Sequence, residues 1–233
     1  KKELDGLLDL ALELKKKRKD GDKHRILKGK TLAMIFEKSS TRTRVSFEVG
    51  MSQLGGRALF LSSQDIQLGR GETVADTARV LSRYVDGIMI RTYRHADVLD
   101  LARYGSVPVI NGLTDLLHPC QALADLLTAL ESHGRLQGLR LAYLGDGNNM
   151  AHSLLELCPK MGLSIAVATP SAYACDPAFV EVARRDAEST GASVLVTEDP
   201  DLAVAGADIV YTDTWVSMGQ EAEKEARIAA FSP

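Results

Sequence analysis

Four clusters in the sequence combine residue types and spacings that could do chemistry. The first is Ser40-Thr41-Arg42-Thr43-Arg44, directly after the apolar run 31–36 and directly before a helical pattern. A strand, a Ser/Thr-rich turn and a helix start gather several free backbone N–H groups at one point, where the helix dipole also favours an anion. The hydroxyls of Ser40, Thr41 and Thr43 add donors, and a guanidinium such as Arg42 can grip phosphate oxygens in fork geometry. Ser and Thr also cap helices with no ligand present. Two arginines crowded into the cap are not needed for capping, and they tip the reading toward an anion site.

The second cluster is His118-Pro119-Cys120-Gln121. It reads as a helix start with Pro119 in the first position and His118 at the rim, where a capping histidine is the plainer alternative. Cys120 has no second histidine placed to activate it, so it reads as a small packed residue rather than a nucleophile. The third, Gly145-Asp146-Gly147-Asn148-Asn149, imitates a dinucleotide fingerprint, but Met150 stands where a third glycine belongs. The acidic residue expected about 20 positions on is also missing. NAD is therefore discounted, and the glycines read as a tight turn that exposes Asn149. The fourth is Asp213-Thr214-Trp215-Val216-Ser217-Met218-Gly219. Asp213 and Ser217, four apart, could receive an ammonium group; a helix-capping Asp is the alternative.

These clusters need a scaffold that brings them to one edge. Strands are expected at 31–36, 58–61, 87–90, 107–110, 139–144, 164–168, 194–196 and 208–211. Helical patterns lie between most of them, at 45–54, 73–84, 96–104, 120–132, 151–161 and 179–190. Alternating βα units imply parallel sheets with helices on both faces. In such sheets ligands bind beyond the carboxyl ends of the strands. Each cluster comes after a strand, as do Arg91 after the third and Asn111 after the fourth. The fold expected is therefore α/β with two doubly wound parallel-sheet domains. Residues 1–133 form the first domain and residues 134–233 a second, incomplete one, since the chain stops in the middle of a βα unit.

Composition excludes several classes of function. A net charge of −3 on 233 residues gives no global drive toward nucleic acid or membrane. The basic run Lys15-Lys16-Lys17-Arg18-Lys19 closes an amphipathic helix, where cations complement the dipole. Three cysteines without a CxxC spacing argue against a disulfide framework or a structural zinc, and for a reducing compartment. No apolar run approaches the roughly 20 residues needed to span a bilayer.

With these motifs in place, the chain resembles the ornithine carbamoyltransferases, a branch of the aspartate/ornithine carbamoyltransferase family. The likeness rests on Phe36 to Arg44, His118 to Gln121, Gly145 to Asn149 and Asp213 to Gly219, and it runs along essentially the whole chain. The first two motifs are shared, in variant form, with the aspartate branch; Asp213-x-x-x-Ser217-Met218-Gly219 points to ornithine. The resemblance implies transfer of the carbamoyl group of carbamoyl phosphate to the δ-amine of L-ornithine, giving L-citrulline and phosphate. It implies that Ser40, Thr41, Arg42 and Thr43 hold the phosphate, and that Arg91, His118 and Gln121 hold the carbamoyl group. Arg91, His118 and Thr43 would take the catalytic roles. Gln67 would reach into a neighbouring copy's site in a homotrimer or a multiple of trimers. Asn149, Asp213, Ser217 and Met218 would hold ornithine. No metal or other cofactor, no nucleic acid and no membrane is implied. The location implied is cytoplasmic, or the mitochondrial matrix in a eukaryote.

Two alternatives remain on sequence: a carbamoyltransferase for putrescine, N-acetylornithine or aspartate, and a non-catalytic anion-binding homologue. Family members also continue past residue 233 with a His-Cys-Leu-Pro loop and a closing helix. A molecule ending at Pro233 is expected to keep phosphate-side binding and to lose most turnover. Citrulline formation by this chain measures that directly, and near-normal turnover contradicts it.

Overall fold

The computed structural model describes residues 1–216 and 220–232, with residues 69, 70 and 221 described by backbone alone. The chain forms two compact units, Asp9–Cys120 and Lys1–Leu8 with Gln121–Pro233.

The first unit holds four parallel strands: β1 (Thr31–Phe36), β2 (Arg57–Ser62), β3 (Gly87–Arg91) and β4 (Val109–Leu113). Their order in the sheet is β2-β1-β3-β4. Helix α1 (Lys2–Lys19) precedes β1, and its last turn carries the basic run. Helix α2 (Thr41–Gln53) joins β1 to β2, while α3 (Val74–Leu81) and α4 (His95–Tyr104) lead into and out of β3. Strand alternation sorts the core into two faces. Leu32, Met34, Phe36 and Met89 meet Phe47 and Met51 of α2. Ala33, Ile35, Ile88 and Ile90 meet Ala78, Val98 and Leu101 of α3 and α4 on the other face.

The second unit repeats the plan. Its strands are β5 (Arg140–Leu144), β6 (Ser164–Ala168), β7 (Val194–Thr197) and β8 (Ile209–Thr212), in the order β7-β6-β5-β8, again all parallel. Helices α5 (Pro119–His133), α6 (Asn149–Leu157), α7 (Pro177–Thr190), α8 (Pro200–Val204) and α9 (Lys224–Phe231) accompany them. Leu8 of α1 and Ala122, Leu126 and Ala129 of α5 are buried in this unit's core with Leu141, Tyr143, Leu154 and Ile165. Packing therefore assigns α5 to the second unit, whereas the sequence break after α5 suggests a boundary at 133/134.

Several boundaries move from their sequence expectation. Helix α2 starts at Thr41, not Val45, so Thr41 to Arg44 form its first turn. Strand β4 runs to Leu113, which puts Asn111 inside the strand rather than beyond it. The cause is an irregularity: Ile90 pairs with Asn111, but Arg91 pairs with Leu113. Gly112 fills the bulge, where an added Cβ would lie 2.6 Å from Met89 Sδ. Helix α6 ends at Leu157 because Pro159 has no N–H to continue the ladder and opens a short 3₁₀ turn instead. Helices α8 and α9 have no counterpart in the sequence expectation; α8 is capped by Asp199, whose carboxylate accepts from the Asp201 and Leu202 amides.

Gly147 is required by close approach. A Cβ there would lie 2.3 Å from Cys175 N and 2.5 Å from Tyr173 O, against backbone that cannot give way. Gly147→Ala is expected to cost about 3 kcal/mol, the upper end for overpacking. Urea denaturation measures this; an unchanged midpoint would show that the turn can move.

Candidate active site

Both sheets reverse strand order at one point, and ligands in open α/β sheets sit at such a reversal. In the first sheet the reversal lies between β1 and β3. Their carboxyl ends carry Glu37 to Arg44 and Arg91. Phe36 pairs with Arg91, and the Arg91 carbonyl accepts from Glu37 N at 2.9 Å. Alternation places Arg91 with Met89 on the face that α2 covers.

At the start of α2, Ser40 is the cap residue, with φ −161° and ψ 116°. Its Oγ accepts from Thr43 N at 3.3 Å and donates to Thr43 Oγ1 at 3.0 Å. The first turn of α2 contains no acidic residue, so nothing offsets the positive end of its dipole. Arg42 is exposed beside it. Arg44 is engaged elsewhere: it pairs with Glu48 at 3.0 Å and its guanidinium lies 3.7 Å from the Phe60 ring centroid. Of the two arginines in the motif, Arg42 is thus the one left to the helix end.

Arg91 is 7% exposed and forms no ion pair among the described residues. Its Nε is buried without a hydrogen-bond acceptor among them. Burial, then the charge of Arg42, lowers its pKa. A guanidinium stays protonated even so. A buried cation facing a second cation is costly unless an anion joins them.

His118 precedes α5 and is half-buried in the same unit. Burial and then Arg91 push its pKa down to about 4. At neutral pH it is therefore a neutral imidazole with one N–H to donate. The half-buried Cys120 donates its S–H to Asn111 O at 3.3 Å, and burial raises its pKa, so it is a protonated, packed thiol. Gln67 stands exposed in a 3₁₀ turn that Gly71 closes.

The second sheet reverses between β5 and β8. Their carboxyl ends carry Gly145 to Asn149 and Asp213. Asn148 caps α6, its Oδ1 accepting from Met150 N at 2.9 Å, and Asn149 opens the helix half-buried. Asp213 is half-buried and has no ion-pair partner among the described residues; its Oδ1 accepts from Thr214 N at 2.8 Å. Asp125 of α5 lies near it and is likewise without a cation. Tyr143 and Tyr211 stack at 5.9 Å, and both phenols are held protonated, first by burial and then by nearby carboxylates, Asp213 and Asp146 for Tyr143 and Asp125 and Asp213 for Tyr211. Ser217 and Met218 lie outside the described residues.

Two groups of residues escaped the sequence reading. Arg227 of α9, 6% exposed, pairs with buried Asp146 at 2.7 Å and donates to Trp215 O at 3.3 Å. It thereby ties the turn after β5 to the loop after β8. A lone arginine in a short helix gives no sequence signal of this. Lys38, 6% exposed, donates to Asp115 and lies 4.3 Å from the Tyr93 ring centroid, bracing the turn before α2. Its place inside the Glu37-Lys38-Ser39-Ser40 motif was the available signal.

One unit thus presents uncompensated positive charge and the other uncompensated negative charge. Residues 1–131 match the family described as aspartate/ornithine carbamoyltransferase, carbamoyl-P binding domain. Residues 137–233 match the same family's Asp/Orn binding domain. The chain belongs to the aspartate/ornithine carbamoyltransferase family. Within that family it is 62% identical over 233 residues to the ornithine carbamoyltransferase of Anoxybacillus flavithermus, covering 100% of this chain and 74% of that one. It is 58% identical to that of Thermococcus kodakarensis with the same coverage. The solved ornithine carbamoyltransferase of Pyrococcus furiosus superposes with a TM-score of 0.96 at 56% identity, covering 100% of this chain and 74% of the other. This carbamoyltransferase-family chain therefore spans about three quarters of the length of these relatives. No described helix is long and apolar enough to cross a membrane.

The His118 shift sets a pH dependence. The folded chain keeps His118 neutral down to about pH 4, whereas the unfolded chain takes up its proton near 6.5. Stability from this group is complete above pH 6.5 and falls as pH drops from there toward 4. The His118 ring resonance should stay flat in NMR from pH 8 to 5 and move near 4. A midpoint near 6.5 would contradict the buried, arginine-facing position.

Proposed function

We propose that this chain transfers the carbamoyl group of carbamoyl phosphate to the δ-amine of L-ornithine, releasing L-citrulline and phosphate, as a step of arginine biosynthesis. The observation that carries the reading is the buried Arg91 guanidinium, beside Arg42 and without a carboxylate partner among the described residues. It suits an anion that brings its own charge. In this reading the start of α2, with Ser40, Thr41, Arg42 and Thr43, receives the phosphate. Arg91, His118 and Gln121 meet the carbamoyl group. Asn149, Asp213, Ser217 and Met218 receive the α-carboxylate and α-ammonium of ornithine, and the uncompensated charge of Asp213 suits the ammonium. The functional boundary is placed at 133/134, between carbamoyl-phosphate and ornithine domains.

The chemistry is dictated by charge. The neutral δ-amine attacks the carbamoyl carbon, and negative charge grows on the carbonyl oxygen. Arg91, neutral His118 and Thr43 donate to that oxygen; one such preorganised donor lowers the barrier by about 3 kcal/mol. The C–O bond to phosphate then breaks, and the leaving phosphate keeps the electron pair beside Arg42 and the α2 dipole. It takes up the proton that the attacking nitrogen sheds and departs as hydrogen phosphate. Fixing the two substrates in line supplies the remainder. We place the active form as a homotrimer or a multiple of trimers, with Gln67 serving a neighbouring copy. Its compartment is the cytoplasm, or the mitochondrial matrix in a eukaryote.

Two substitutions separate the halves of the reading. Arg91→Gln should weaken carbamoyl phosphate binding at least about 30-fold, the low end for truncating one partner of a buried charge pair. Asp213→Asn should raise the ornithine KM about tenfold, as loss of a charged hydrogen bond does, and leave carbamoyl phosphate binding within about twofold. Calorimetry and a citrulline assay read both. Comparing ornithine with putrescine, N-acetylornithine and aspartate as acceptors tests the amine; faster turnover of any of the last three overturns the assignment.

A further inference from the structure

Gln121 and Asp125 lie one turn apart on α5, and Gln121 Nε2 donates to Asp125 Oδ1 at 2.9 Å. A glutamine amide has two ends of nearly equal size, one a double donor and the other an acceptor. On an exposed side chain such as Gln121, nothing intrinsic decides which end faces a ligand. An ionised carboxylate decides it, because it can only accept. Asp125 takes the NH₂ end and leaves the Gln121 carbonyl oxygen as the outward acceptor.

The surroundings of Asp125 support this assignment. It is half-buried and has no lysine or arginine partner among the described residues. It lies in the second turn of α5, past the positions where a carboxylate caps a helix. Its neighbours are the Gln121 amide, the Tyr211 phenol and the like charge of Asp213. A desolvated carboxylate held only by neutral donors weakens the fold unless it serves another end.

We propose that Asp125 is a positioning residue that sets substrate specificity: it turns the Gln121 carbonyl oxygen outward, where that oxygen accepts from the carbamoyl –NH₂. This rests on the proposal that Gln121 meets the carbamoyl group. Acetyl phosphate is the discriminating ligand. It has the same phosphate and carbonyl, with a methyl group in place of the NH₂. A methyl group cannot donate, so the oriented oxygen meets an unmatched neighbour.

The test is binding of carbamoyl phosphate, acetyl phosphate and inorganic phosphate to the whole chain by calorimetry. In Asp125→Asn the partner can donate as well as accept, so Gln121 takes both orientations. Carbamoyl phosphate should weaken about tenfold, the loss of one hydrogen bond. Acetyl phosphate and phosphate should change less than about twofold. Gln121→Ala should show the same selective loss, and Asp125→Asn added to it should do nothing further, as coupled residues require. A wild-type chain that does not prefer carbamoyl over acetyl phosphate refutes the functional reading itself. A wild-type preference that survives in Asp125→Asn overturns the positioning role, as does parallel weakening of all three ligands. An independent arm needs no Asp125 variant. The Gln121 NH₂ resonance, assigned by its loss in Gln121→Ala, should shift in the wild-type chain as the Asp125 carboxyl is protonated. A resonance indifferent to that change also overturns it.

Discussion

A buried guanidinium with no carboxylate partner among the described residues governs the first unit. Arg91 ends β3 and shares its neighbourhood with Arg42 at the positive end of α2. Elsewhere in the same unit buried Lys38 has Asp115, and buried Asp97 has Arg94 and Thr92. The repulsion between the two guanidinium groups is held in place by the fold. Pairing of β1 with β3 fixes the Arg91 backbone, and the cap at Ser40 fixes the helix end. The cost is carried by the apolar faces of the sheet, where Met34, Ile35, Ile88, Met89 and Ile90 are fully buried.

The second unit carries the opposite sign. Asp213 follows the end of β8 and lies near Asp125 in the second turn of α5, and both help keep the Tyr211 phenol protonated. Asp146, on the turn after β5, is neutralised by Arg227. That pairing sets a division of labour. One carboxylate holds two turns together, and the other two remain without cations among the described residues. An acyl phosphate and an ammonium group suit opposite environments of this kind, which is what the proposed function draws on.

Much of this was legible in the residues. The strands 31–36 and 164–168 have the bounds expected from sequence, because continuous apolar runs between turn signals leave little choice. Ser40, His118, Asn149 and Asp213 stand out as the polar residues that come next after apolar runs, and each does lie at a strand's carboxyl side or at the helix start beyond it. The misplacements have physical causes that no local pattern carries. Strand β4 shifts register against β3 between Ile90 and Arg91, where Gly112 comes close to Met89, and neither strand's own pattern shows this. Phe60 on β2, sixteen positions along the chain, holds the Arg44 guanidinium together with Glu48, a contact that no local pattern carries.

The sequence by itself determined the repeating βα plan, the helix start that invites an anion, and the motifs that mark the family. These depend on periodicity, capping and composition, which act between residues a few positions apart. Only the tertiary structure decided the strand orders β2-β1-β3-β4 and β7-β6-β5-β8, and with them the reversal points beside which Ser40, Arg91, Asn149 and Asp213 sit. It alone decided that Arg91 lacks an acid partner among the described residues, that Arg227 reaches Asp146 across 81 positions, and that His118 stays neutral. Pairing order and burial are set by contacts distant in the chain, and the charge a site leaves uncompensated is visible only once those contacts are made.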